Sequence, residues 1–87
     1  MLVLEAIPAR LAAEITVNVS IPTIGIGAGA ACSGQVLVLH DVLDIYPGKK
    51  ARFVKNYMQG AQSIADGVMR YVNEVKSGVY PGVEHSF

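Results

Sequence analysis

The sequence has no tryptophan, a single cysteine and no block of like charge, and each shortage closes off a class of protein. Cys32 alone excludes an intrachain disulfide, so a disulfide-stapled secreted scaffold is ruled out and a reducing, cytoplasmic compartment is the expectation. Seven basic residues balance seven acidic ones, and the longest basic run is Lys49-Lys50, so no nucleic-acid partner is expected. No apolar run approaches the roughly 18 residues that span a bilayer, and Met1 to Glu5 carries no basic segment of the signal-peptide kind. No membrane partner is expected either. Internal repeats and low-complexity segments are also lacking.

What the sequence does contain is apolar. Of its 87 residues 52% are hydrophobic and 16% charged, with a mean hydropathy of +0.40. A chain this short hides only about 60 to 65% of its unfolded surface on folding, so its composition should be more polar than this. Part of the apolar surface is therefore expected to face something outside the 87 residues.

The stretch Ile21-Pro-Thr-Ile-Gly-Ile-Gly-Ala-Gly29 organises the reading. Ile24 and Ile26 predict a short buried strand, and glycines at 25, 27 and 29 remove side chains where it runs out. This suggests the C-terminal end of a parallel strand, the edge at which α/β folds bind ligands. Before it, the apolar run from Met1 closes at Glu5 and predicts a strand. Pro8 suits a first helical turn, and Leu11, Ala12 and Ile15 supply a stripe for a helix over about Pro8 to Val17. Strand, helix and strand in 27 residues make a βαβ unit with parallel strands. Beyond it, Val36 to Val38 predicts an extended start, Leu39 to Leu43 a helical turn, Pro47-Gly48 a turn, and Phe53 to Tyr57 a third short strand. Ala61, Ile64, Val68, Val72 and Val75 recur at helical spacing, Asp66 and Arg70 can pair across one turn, and Gly78 supplies a stop, so a helix is expected from about 62 to 77. The tail, 79 to 87, reads as an extended segment lying on a surface.

Few residues present themselves for chemistry. Glu5 closes an apolar strand where a parallel sheet opens onto its ligand face, and shielding by apolar neighbours would suit it to taking a proton. On position alone, a solvated glutamate assisting the next helix is the simpler reading. The Gly25, Gly27, Gly29 run is spaced GxGxG and not GxGxxG, and no strong helix opens behind it, so tight turning explains it as well as a ligand does. His40-Asp41 and Glu84-His85 are adjacent pairs that do not form dyads, and no metal-ligand spacing is present. Cys32 reads as a small filler. Lys49, Lys50 and Arg52 read as a solvated face, with anion binding the lesser reading.

Set out in this way, the chain resembles the C-terminal part of the 3-methyl-2-oxobutanoate (ketopantoate) hydroxymethyltransferases. The resemblance rests on Leu2-Val-Leu-Glu-Ala-Ile-Pro8, Ile21 to Gly29, Gly34-Gln-Val-Leu-Val-Leu-His-Asp41, Arg52-Phe-Val-Lys-Asn56 and Gly78 to Phe87, in order and in register. It implies the last third of a (β/α)8 TIM barrel of the phosphoenolpyruvate/pyruvate-type superfamily, a fold of about 250 residues, with residues 1–87 a single partial domain. It implies hydroxymethyl transfer from methylenetetrahydrofolate to a small keto acid, with magnesium (Mg2+) chelating that acid and Glu5 as general base. The family's metal ligands lie in earlier strands and match no position here, so the chain alone is not expected to be a competent transferase. A partial barrel leaves strand edges unpaired, which implies a homo-oligomer or pairing with a missing N-terminal part. The alternative is a non-catalytic remnant or self-associating α/β module in which the same residues persist as fold elements.

Overall fold

A computed structural model of the chain describes residues 1–45 and 47–87. Three strands, β1 (Leu2–Glu5), β2 (Thr23–Ile26) and β3 (Gly34–Gln35), form a sheet in the order β1-β2-β3, parallel throughout. The helices are α1 (Ala9–Asn18), α2 (Leu39–Val42) and α3 (Ile64–Ser77), and a 3-10 turn covers Val83–His85. The predicted βαβ unit is present, with Pro8 as the residue preceding α1. Helix α1 turns Ala12 and Ile15 toward a core with Leu4, Ala28 and Cys32, whereas Leu11, expected in the stripe, is exposed.

The register fixes the two faces of the sheet. Leu2 pairs with Thr23, Val3 with Ile24, Leu4 with Gly25 and Glu5 with Ile26. Leu4 and Thr23 point toward α1: Thr23, fully buried, shares a 2.8 Å hydrogen bond with the Thr16 hydroxyl, and its own hydroxyl accepts the Ser33 N–H at 3.1 Å. Because strand side chains alternate, Val3, Glu5, Ile24 and Ile26 share the other face. On that face Val3 is 55% exposed and Glu5 is exposed, while Ile24 and Ile26 are half-buried.

Around and beyond β3 the expected helical turn is present as α2, and the chain departs from expectation at Phe53 to Tyr57 and in the tail. Pairing already starts at Gly34, ahead of the expected extended segment, and its last bond is the Val36 N–H to Gly25 O at 3.0 Å; Val38 is extended, φ −64° and ψ 131°, before α2. Phe53 to Tyr57 is not a strand. Asn56 Oδ1 accepts the Met58 N–H at 2.9 Å in an Asx-type turn, and the Tyr57 N–H goes to Val42 O at 3.2 Å, so no ladder forms. Tyr80 and Pro81 do not lie on a surface: both are buried, and Tyr80 joins Val42 and Tyr57 in a second core.

Helix α3 starts at Ser63, whose hydroxyl accepts the Asp66 N–H at 3.0 Å, and stops at Gly78 in the left-handed region, φ 79°. Asp66 and Arg70 form the expected pair at 3.2 Å. The face that packs is rotated from the predicted stripe. Gly67, Tyr71 and Val75 meet the second core, while Ile64, Met69 and Val72 are exposed. The cause is the close approach at Gly67, where a Cβ would lie 2.9 Å from Met58 Sδ and 3.1 Å from the Tyr57 carbonyl oxygen. Gly67→Ala gains about 1 kcal/mol of helix propensity but forces that contact apart at a cost of about 1–3 kcal/mol. The expected outcome is a net loss on the order of 1 kcal/mol, read as a lower urea midpoint.

Glu74 ties α3 to the segment before it. Its carboxylate accepts from Lys55 Nζ at 2.7 Å and from the Tyr57 hydroxyl at 2.8 Å. The Lys55 hydrogen bond holds its pKa below the usual 4.5, with the Tyr57 hydroxyl adding to the effect against an opposing cost of burial. Burial and the Glu74 carboxylate together raise the Tyr57 phenol above its usual value. A depressed glutamate stabilises the fold fully above its unfolded value, and that contribution is lost as pH falls through the folded one. Acid titration of the urea midpoint from pH about 6 to about 3 should therefore show a steeper loss in the native protein than in Glu74→Gln.

Candidate functional site

The carboxyl edge of the parallel sheet gathers the residues of interest. Glu5 is the last residue of β1 and lies on the face it shares with Val3, Ile24 and Ile26. The next residue, Ala6, donates its N–H to Ile26 O at 2.9 Å and holds a left-handed backbone, φ 52°. That conformation costs a non-glycine residue about 1–3 kcal/mol. It swings the chain out of the sheet at once, so Ile7 packs on the core and α1 begins at Ala9. Glu5 is thereby held at the edge by the hydrogen-bonded ladder and not by side-chain contacts. Glu5 is exposed, in line with the simpler of its two readings, and is not shielded by its apolar neighbours.

The glycine run is filled by the protein itself. A Cβ on Gly25 would meet Cys32 Sγ at 2.9 Å, one on Gly27 the Phe53 ring at 2.7 Å, and one on Gly29 the Ala9 Cβ at 2.6 Å. Gly27 and Gly29 also take positive φ, 67° and 82°. Close approach and turning thus account for all three glycines, and the space they open is occupied by side chains. Cys32 is buried against Ala28 O.

The C-terminal segment closes over this turn. Phe53 and Phe87 stand 6.5 Å apart over Gly27, Arg52 lies 5.6 Å above the Phe87 ring, and the Ala9 N–H donates to Phe87 O at 3.1 Å. Nothing in the sequence signalled that residues 53 and 87 would meet. The 3-10 turn also brings Glu84 Oε1 to 3.3 Å from His85 Nδ1, closer than expected for adjacent residues. That nitrogen accepts the Gly82 N–H at 3.1 Å, so the carboxylate approach is a contact and not a hydrogen bond of the neutral ring. His40 and Asp41 share no hydrogen bond among the described residues.

A divalent metal does not fit this chain alone. Among the described residues no three His, Cys, Asp or Glu side chains converge, and the neighbours of Glu5 on its face are hydrocarbon. No helix among them is long and apolar enough to cross a membrane.

A short parallel α/β unit that presents Glu5 at its carboxyl edge, the edge at which α/β folds bind ligands, is the class of structure seen here. Comparison with known proteins makes this specific. The family model for ketopantoate hydroxymethyltransferase matches residues 1–83, and the chain belongs to that family. It is 63% identical over all 87 residues to the 3-methyl-2-oxobutanoate hydroxymethyltransferases of Burkholderia mallei (strain SAVP1), Burkholderia pseudomallei (strain 668) and Burkholderia thailandensis. The match covers 100% of this chain and 32% of each relative, so the chain spans about a third of their length.

Proposed function

We propose that the chain supplies the general base for hydroxymethyl transfer from methylenetetrahydrofolate to 3-methyl-2-oxobutanoate, giving ketopantoate for pantothenate biosynthesis. The observation that carries the reading is Glu5 at the carboxyl edge of the sheet, in a chain that matches these transferases along its whole length. Its carboxylate takes the proton from C3 of the keto acid, and the resulting enolate carbon forms its new bond to the one-carbon unit as the carbon–nitrogen bonds to the folate break, with water supplying the hydroxyl oxygen and tetrahydrofolate released. A carboxylate is a weak base for a carbon acid, so the enolate needs electrostatic stabilisation. No group among the described residues provides it, and the reading assigns that part, including any magnesium site, to segments beyond these 87 residues.

On this reading the sheet is the C-terminal portion of a (β/α)8 barrel, a single partial domain working in the cytoplasm. The face that carries Glu5 and the free edge of β1 then receive the remaining strands, either in a complete chain or from a second polypeptide. The isolated chain is inactive because it holds the base without the rest of the cradle, and proximity and electrostatic terms are worth several kcal/mol each. A mixing experiment tests this. Adding a polypeptide that carries the first two thirds of a relative should restore ketopantoate formation, and failure to restore it with a folded complementary chain would overturn the reading.

A second reading, a self-associating module without catalysis, is favoured by the exposure of Val3, Val36, Val38, Ile64 and Met69. It predicts a homo-oligomer whose size is unchanged by the complementary polypeptide. Sedimentation of the mixture separates the two readings.

A further inference from the structure

β1 and β2 leave the sheet at the same level, and only β2 does so without strain. Glu5 and Ile26 are the last pair of their ladder, and the residues that follow them, Ala6 and Gly27, both take a left-handed backbone, φ 52° and 67°. Glycine adopts that conformation at no steric cost, whereas the Cβ of an alanine crowds the following carbonyl. The Ala6 side chain is exposed, so no packing of its own holds it there. The restraints lie on either side of its Cα. Its N–H donates to Ile26 O at 2.9 Å, and the next side chain, Ile7, packs against the core of Leu4, Ala12, Ala28 and Cys32.

What the kink does follows from strand parity. Side chains alternate along a strand, so positions 2 and 4 belong to the α1 side and positions 3, 5 and 7 to the other. Leu2 and Leu4 keep to that rule, and Ile7 breaks it by joining them on the same core. Had β1 continued in extended form, the Ile7 side chain would stand on the Glu5 face, about 7 Å beyond Glu5 toward the carboxyl edge. Ligands of an α/β sheet approach from that edge. One left-handed residue thus turns an apolar side chain away from the approach to Glu5 and into the core, re-aiming it as a β-bulge would. Strained backbone gathers where function requires it, and here it follows directly on the carboxylate.

We propose that Ala6 is a positioning residue for the Glu5 site: its left-handed backbone takes Ile7 off the Glu5 face and keeps the approach to the carboxylate open for a ligand. The catalytic consequence rests on the function proposed above, and the geometric one does not. A β-branched residue is excluded from the left-handed region far more strongly than alanine, so Ala6→Val straightens the strand and brings the Ile7 side chain over Glu5. A smaller residue at position 7 then clears the path again. In the activity restored by a complementary polypeptide, Ala6→Val should lower kcat/KM for the keto acid, chiefly by raising KM because the obstruction acts on approach. Adding Ile7→Ala should recover it. A role in stability alone predicts the opposite, since Ile7→Ala removes further core packing.

The deciding test needs no substrate and uses the 87-residue chain. Glu5→Cys places a thiol at the site, and its alkylation by iodoacetamide, resolved from that of the buried Cys32 by mass spectrometry, reads access. A rate close to that of a free thiol is expected; adding Ala6→Val should slow it about tenfold, and adding Ile7→Ala to both should restore it. Circular dichroism of each variant checks its fold. A rate unmoved by Ala6→Val in a folded chain, or still slow after Ile7→Ala, would overturn the proposal. If Ala6→Val unfolds, chemical synthesis with D-alanine in place of Ala6 decides. The D-residue favours the left-handed region, so the urea midpoint should rise with the alkylation rate unchanged, and a fall in either would overturn the proposal. Proton exchange at the keto acid that does not depend on Glu5, with the thiol behaving as expected, would overturn the transferase reading instead.

Discussion

Tyr80→Ala should unfold the second core. Tyr80 is 3% exposed, its ring lies 5.8 Å from that of Tyr57, 6.0 Å from Tyr71 and 5.0 Å from His85, and its hydroxyl donates to the Phe53 carbonyl. Removing a buried aromatic ring costs about 3–5 kcal/mol. A chain of this size has about 4–13 kcal/mol in total, at roughly 0.05–0.15 kcal/mol per residue. The loss is therefore a large share of all the stability available, and α3 with the C-terminal segment should lose protection first. Tyr80→Phe keeps the ring and loses only the hydroxyl, leaving the Phe53 carbonyl without that donor, for about 1–3 kcal/mol. Near-ultraviolet circular dichroism, which in this tryptophan-free chain reports largely on its tyrosines, measures both; equal losses in the two variants would contradict the packing argument.

Glu5→Gln has the opposite profile. Its side chain is exposed and makes no hydrogen bond or ion pair among the described residues, so stability should stay within about 0.5 kcal/mol of the native chain. In the activity restored by a complementary polypeptide, however, the same change should lower the turnover rate by about 10²–10⁴-fold, the usual contribution of a positioned general base. Glutamine is nearly isosteric and cannot take the proton, so KM for the keto acid should move far less than kcat. A variant that lost affinity and kept kcat would assign Glu5 to binding.

The βαβ unit was legible because its signals are local. An apolar run closed by Glu5, a proline before the helix and a second apolar run ending in glycines each act within a few residues, and the ladder formed as they imply. Glu5 could be placed at the carboxyl edge for the same reason. The solvated reading of Glu5 was the simpler one and holds, but the sequence could not settle it against shielding, because shielding depends on what covers the face and no period encodes that. Phe53 to Tyr57 looked like a strand from residue preference alone, but a strand needs an edge to pair with, and the side chain of Asn56 offered the backbone a turn instead. Tyr80 carried no periodic signal at all. Its burial comes from contacts with Tyr57 and Tyr71 on other segments, and the rotation of α3 comes from Gly67, whose missing side chain lets the Tyr57 backbone in.

The most direct measurement of the central claim is exchange of the C3 proton of 3-methyl-2-oxobutanoate into deuterated buffer, followed by NMR with magnesium present and folate absent. It isolates proton removal, the step assigned to Glu5. The chain combined with a complementary polypeptide should exchange the proton well above the buffer rate, and Glu5→Gln in the same mixture should fall back toward it. Exchange that persists undiminished in Glu5→Gln would contradict the assignment of the base.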